Sequence, residues 1–104
     1  MTNAFVLDFS LLPTKDRGSG VVTTPLVNAA RGSCAMLNGV TCIAPGCAVP
    51  MHIHNCEESV IVLSGQGIAH IDGVDHPVEP GITSWILAGI VHCFKNIFLS
   101  FSKT

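Results

Sequence analysis

The stretch PMHIHNCEE, Pro50 to Glu58, sets two histidines one residue apart with two acids just beyond them. On an extended chain His52 and His54 project from one face, with Cα atoms roughly 6.5 Å apart at strand rise. That separation lets two imidazole nitrogens meet on one ion. Imidazole and carboxylate together suit Fe, Mn, Ni, Cu or Zn, and a site that keeps open positions can take a substrate or oxygen. Glu58 is placed to add a carboxylate after a short turn. Glu57 competes with it, because neighbouring strand residues point to opposite faces. The plainer alternative is a polar strand edge with no ion.

Short β-branched runs bounded by Gly, Pro, Asn and Asp recur along the chain, and no segment of ten or more residues has helical spacing. The expected strands are Ala4–Asp8, Val21–Val27, Cys34–Ala44, Met51–His54, Ser59–Ser64, Gly67–Ile71, His76–Val78, Thr83–Leu87, His92–Asn96 and Phe98–Phe101. Pro13–Gly20, polar and rich in small residues, reads as a loop. Ser64-Gly65-Gln66-Gly67 and Asp72-Gly73 supply the positive-φ positions of tight turns. Many short strands between such turns predict an all-β sandwich or double-sheet jelly roll. Ser59 to Leu63 is apolar on both faces, so one side can line the barrel and the other can pack against a second sheet or subunit.

At 104 residues the chain is expected to form one domain. Hydrophobic residues make up 48% and charged ones 12%, more apolar than a small monomer needs, which points to a homodimer. A net charge of -2 with no basic run disfavours nucleic acid. No apolar run approaches the ~20 residues of a membrane span, and the first residues lack a cleavable-signal pattern, so a soluble cytoplasmic protein is expected. Five cysteines without C-x-x-C spacing read as reduced thiols.

From Gly46 onward the sequence resembles the cupin family. Gly46, five residues, His52, one residue, His54, three residues, Glu58, six residues and Gly65 reproduce the family's first motif, over 46–65. The second, over 81–96, is met by Gly81, Gly89, His92 and Asn96, with Leu87 where the family usually has Pro. The resemblance implies a double-stranded β-helix, or jelly-roll barrel, across 1–104. It also implies that His52, His54, Glu58 and His92 hold one divalent metal ion, and so adds a fourth ligand far from the first three. Only Ile97 to Thr104 follow Asn96, so the barrel is expected to be shortened or completed by a partner subunit.

Glu57 is left as the spare carboxylate and the candidate general base. Phe94 and Asn96 share the parity of His92 and are candidates to line the pocket, with Trp85 as core or pocket wall. Cys93 should point away from the His92 face. His70 and His76 read as ordinary strand residues rather than ligands. Outside the N-terminal loop and the C-terminal tail the only cations are Arg31 and Lys95, which disfavours a sugar phosphate and favours a small neutral or apolar substrate. The function expected is an oxygenase-type reaction at an iron centre. A metal-dependent lyase or isomerase and a non-catalytic binding module are the alternatives, and Mn, Ni, Zn or Cu the other metals.

Overall fold

Alternating burial along short strands builds the molecule. A computed structural model describes residues 4–33, 35–96 and, for the backbone alone, 102–103. The strands are β1 (Lys15–Gly18), β2 (Val21–Val27), β3 (Asn38–Ile43), β4 (Ala48–His52), β5 (Glu58–Ile61), β6 (Gly67–Ile71), β7 (Val74–Val78), β8 (Thr83–Ile86), β9 (His92–Asn96) and β10 (Ser102–Lys103). They pair antiparallel in three sheets, ordered β1-β2-β3-β10, β4-β9-β6-β7 and β5-β8. No α-helix occurs among the described residues. The protein is all-β, with the jelly-roll arrangement.

Ile43, Val60, Val62, Ala69, Val78, Ile86 and Phe94 form one buried cluster that takes residues from all three sheets. Each comes from the inward parity of its strand or its continuation, and the intervening residues face out. Val60 and Val62 are buried while Ile61 and Leu63 are exposed, so the segment expected to be apolar on both faces is so. The β6–β7 hairpin closes through Asp72 (φ 50°) and Gly73 (φ 80°), the two left-handed residues of a type I′ turn.

Ala4–Asp8 forms no strand; Asp8 instead caps a 3-10 turn, Phe9–Leu11, by accepting from the Ser10 N–H at 3.0 Å. The expected loop Pro13–Gly20 contains β1, an edge strand whose residues are all exposed; it pairs through its backbone, so it needs no apolar face. The third strand begins at Asn38, and Cys34 and the expected strand Phe98–Phe101 lie outside the described residues. The tail nevertheless returns to the barrel, with Ser102 opposite Ile43 and Lys103 opposite Cys42.

Candidate metal centre

His52 ends β4 and His92 begins β9, and the two are direct partners across these strands. Facing positions in an antiparallel pair put Cβ atoms about 5 Å apart. A register shift between Val49 and His52 sets the aim of this end of β4. His54 lies two residues past the strand, where its carbonyl accepts from Gly89 N–H at 2.9 Å. Glu58 opens β5 opposite Ile86. The group thus forms where the β4-β9 edge of one sheet meets the β5-β8 pair.

The turn that delivers His92 runs from Leu87 to Ile90 and closes by an Ile90 N–H to Leu87 carbonyl bond of 3.3 Å. It forms with leucine in place of the proline that the cupin pattern usually carries. Gly89 adopts φ +85° there, a conformation that disfavours any side chain.

One ligand atom from each of His52, His54, Glu58 and His92 lies within 4.8 Å of the others. The three rings pack edge to face or tilted, with centroids 4.1 to 5.4 Å apart. His92 is 1% exposed; its Nδ1 sits 2.9 Å from the Ile90 carbonyl and its Nε2 2.9 Å from Glu58 Oε2. His52 Nδ1 is 2.7 Å from the Pro50 carbonyl, and His54 Nε2 is 3.2 Å from the same Glu58 oxygen.

These contacts test the fit of an ion. A carbonyl only accepts, so Nδ1 of His52 and of His92 carries the proton, and Nε2 of a neutral ring is left as a lone pair. A neutral His92 cannot then donate to Glu58. A cation between Nε2 and the carboxylate resolves the clash, and so does a second proton on the ring. Backbone carbonyls that fix the tautomer are a common support of metal-binding histidines. The four residues therefore fit a divalent ion.

The remaining candidates separate. Phe94 is buried, and its ring lies 6.3 Å from that of His92. Asn96 is buried deeper, where its Nδ2 donates to the Ile43 carbonyl at 2.8 Å, tying β9 to β3. Trp85 is neither core nor pocket wall: it is 61% exposed, because Ile86 takes the inward parity of β8. Its Nε1 donates to Glu57 Oε1 at 3.0 Å on the outer side, so the carboxylate expected as a base is turned from the cluster.

Cys93 does point away from His92, toward an outer-face cavity of about 280 Å³ that it lines with His70, Lys95 and Met51. Cys42, Cys47, Cys56 and Cys93 are free thiols. His70 Nδ1 meets Asp75 Oδ1 at 2.5 Å. That hydrogen bond is the main cause holding the Asp75 carboxyl below the ordinary carboxylate range; desolvation opposes it, and the charges of His70, Lys95 and His76 add lesser help. Because the folded value is depressed, the stabilisation is present above the unfolded value and lost as pH falls through the folded one. His70→Phe should return Asp75 to the ordinary range in a carboxyl NMR titration. An unchanged titration would show that the pair has no such effect.

The model of the cupin domain matches residues 39–99, more than half of the chain and all four cluster residues. This chain belongs to the cupin family. Among curated proteins this cupin is similar to auxin-binding protein T85 of Nicotiana tabacum, at 47% identity over 38 residues, 36% of this chain and 20% of that protein. It thus spans about a fifth of the length of that relative. Among solved structures it resembles a predicted oxalate decarboxylase from Thermotoga maritima, with TM-score 0.86 and 23% identity over 95% of this chain and 93% of the other. It also resembles the polyketide cyclase RemF from Streptomyces resistomycificus, with TM-score 0.84 and 19% identity over 96% and 75%. At these identities the likeness is one of fold.

Proposed function

We propose that this cupin holds one divalent metal ion through His52, His54, Glu58 and His92 and carries out an oxygenase-type reaction on a small neutral or apolar molecule, with iron(II) as the metal. The observation that carries the metal reading is the convergence of three imidazoles on one Glu58 carboxylate, with two rings anchored at Nδ1 by backbone carbonyls. When bound, iron(II) supplies a Lewis acid and a one-electron donor to dioxygen. The chain's part is positional. Carbonyls of Pro50 and Ile90 aim two Nε2 lone pairs inward, buried Phe94 lies beside His92, and His54, with its side chain 46% exposed, marks the open side where substrate enters.

The choice of oxygenase over lyase rests on what surrounds the four. Among the described residues no fifth His, Cys, Asp or Glu joins the group, and Glu57 is engaged with Trp85. A proton-moving reaction would then draw on one of the four, or on a hydroxide held by the metal, as its base. The lyase or isomerase reading stays as the second one, supported by similar structures named as a predicted oxalate decarboxylase and a sugar phosphate isomerase. Oxygen uptake by the metal-loaded protein with a panel of small phenols, diketones and thiols separates the two. Uptake no faster than with free metal across the panel would overturn the oxygenase reading.

We infer also that the protein is a homodimer. Ile61, Leu63, Trp85 and Leu87 expose apolar surface on the outer side of the β5-β8 pair, and patches of this kind mark interaction sites. Joint replacement Ile61→Asp and Trp85→Asp should give a monomer in sedimentation equilibrium while the metal content is kept. A wild-type monomer would refute the dimer.

A further inference from the structure

Two of the chain's five Lys and Arg residues meet at a second place, on the sheet that carries none of the four cluster residues. Lys15 on β1 and Arg31, at the end of the 3-10 turn Ala29–Arg31, line one cavity of about 340 Å³, with Thr14, Asn28, Pro13 and Pro25 among its walls and no acidic side chain in its lining. The guanidinium is half-buried and held in place. Its Nε donates to the Leu26 carbonyl at 2.8 Å, and the Arg31 N–H donates to Asn28 Oδ1 at 3.1 Å. Gly32, at φ 99°, ends the turn.

What is left over is a set of donors. Arg31 has no carboxylate within ion-pair distance among the described residues, and neither has Lys15. Asp16, the nearest acid in sequence, is turned to its own backbone, accepting from Gly18 N–H at 2.8 Å. With Nε and Asn28 Oδ1 engaged, the cavity retains both Nη groups of Arg31, the Lys15 ammonium, the Asn28 amide donors and the Thr14 hydroxyl. A held guanidinium fork matches the paired oxygens of a carboxylate or phosphate. The cavity is at the small end of ligand-site volumes, and the proline walls favour a compact apolar body behind the anionic group.

We propose that this cavity is a binding site for a small organic oxyanion, a carboxylate or a phosphate monoester, gripped by Arg31 and Lys15 and separate from the metal centre. The test is calorimetric titration at low ionic strength with benzoate, phenyl phosphate and inorganic phosphate, on the protein as purified and after EDTA treatment. Saturable binding that survives EDTA is expected, and the tighter of benzoate and phenyl phosphate identifies the anionic group. Arg31→Gln should weaken binding by about tenfold or more, the value of a lost charged hydrogen bond. Lys15→Gln, at an exposed edge-strand position where folding is not at issue, should weaken it by a smaller factor. His92→Ala should leave it unchanged. No saturable binding of any probe below about 10 mM, a free energy too weak for a built site, would overturn the proposal. Binding that EDTA abolishes and neither Arg31→Gln nor Lys15→Gln alters would place the anion at the metal instead and overturn it equally.

Discussion

His92→Ala is expected to reduce bound metal from near one ion per chain to about a tenth or less, since changing even a residue that only supports a ligand commonly costs 10–100-fold in affinity. Three features place the largest loss at this residue. It is 1% exposed, so water cannot easily stand in for the lost nitrogen. Its Nδ1 is anchored on the Ile90 carbonyl, so its Nε2 is aimed before any ion arrives. Its Nε2 lies 2.9 Å from Glu58 Oε2, so an ion held between them loses one side of its grip when the ring is removed. His54, with its side chain nearly half exposed and its bond to Glu58 longer at 3.2 Å, should matter less, and His54→Ala should keep a measurable fraction of metal.

Elemental analysis of protein purified without added metal is the measurement, paired with thermal unfolding before and after EDTA. A ligand that binds only the folded state stabilises it by mass action, so wild type should lose melting temperature on chelation and His92→Ala should not. Wild-type protein free of metal, with no change on chelation, would refute the ion. Equal metal in His92→Ala and wild type would remove His92 from the ligand set.

The site and the fold were legible to different extents. His52 and His54 stand out because alternate residues of an extended chain share one face, a purely local rule, although the expected strand Met51–His54 in fact ends at His52. His92 has no such local signal: it is the cross-strand partner of His52, and register between distant segments is invisible to spacing along the chain. Only the family pattern pointed to it. Trp85 was misplaced for a related reason. Residues 83–87 carry apolar side chains on both parities, and pairing with β5 turns Ile86 inward and Trp85 outward. β1 was hidden because a fully exposed edge strand has no apolar alternation to read. The Arg31 cavity was equally hidden, because Lys15 and Arg31 approach through the β1–β2 pairing and the turn after β2.

Gly67 was expected to open the strand Gly67–Ile71 just after a glycine-bearing turn, and it does so as β6; its position against β9 sets the second large effect. Gly65 carries the positive φ of that turn, whereas Gly67 opens β6, the strand between β9 and β7. A Cβ on Gly67 would stand 2.1 Å from the Lys95 carbonyl oxygen and 3.2 Å from its carbon. Both atoms belong to the backbone of β9, so no side chain can swing aside. Gly67→Ala must push β6 from β9, the strand that carries His92, Phe94 and Asn96. The expected cost is at or beyond the upper end of the ~1–3 kcal/mol typical of overpacking, about 10 °C or more in melting temperature for a domain of this size. Gly73→Ala is the comparison. A Cβ there meets nothing within 4 Å, and only its φ of +80° is at fault, so the cost should be about 1–2 kcal/mol. Urea unfolding of both variants gives the two values directly. A Gly67→Ala protein as stable as Gly73→Ala would mean that β6 and β9 do not approach as closely here as the register requires. Should the larger loss appear, metal content at low temperature ought to fall with it, because the same strand displacement carries His92 away from Glu58.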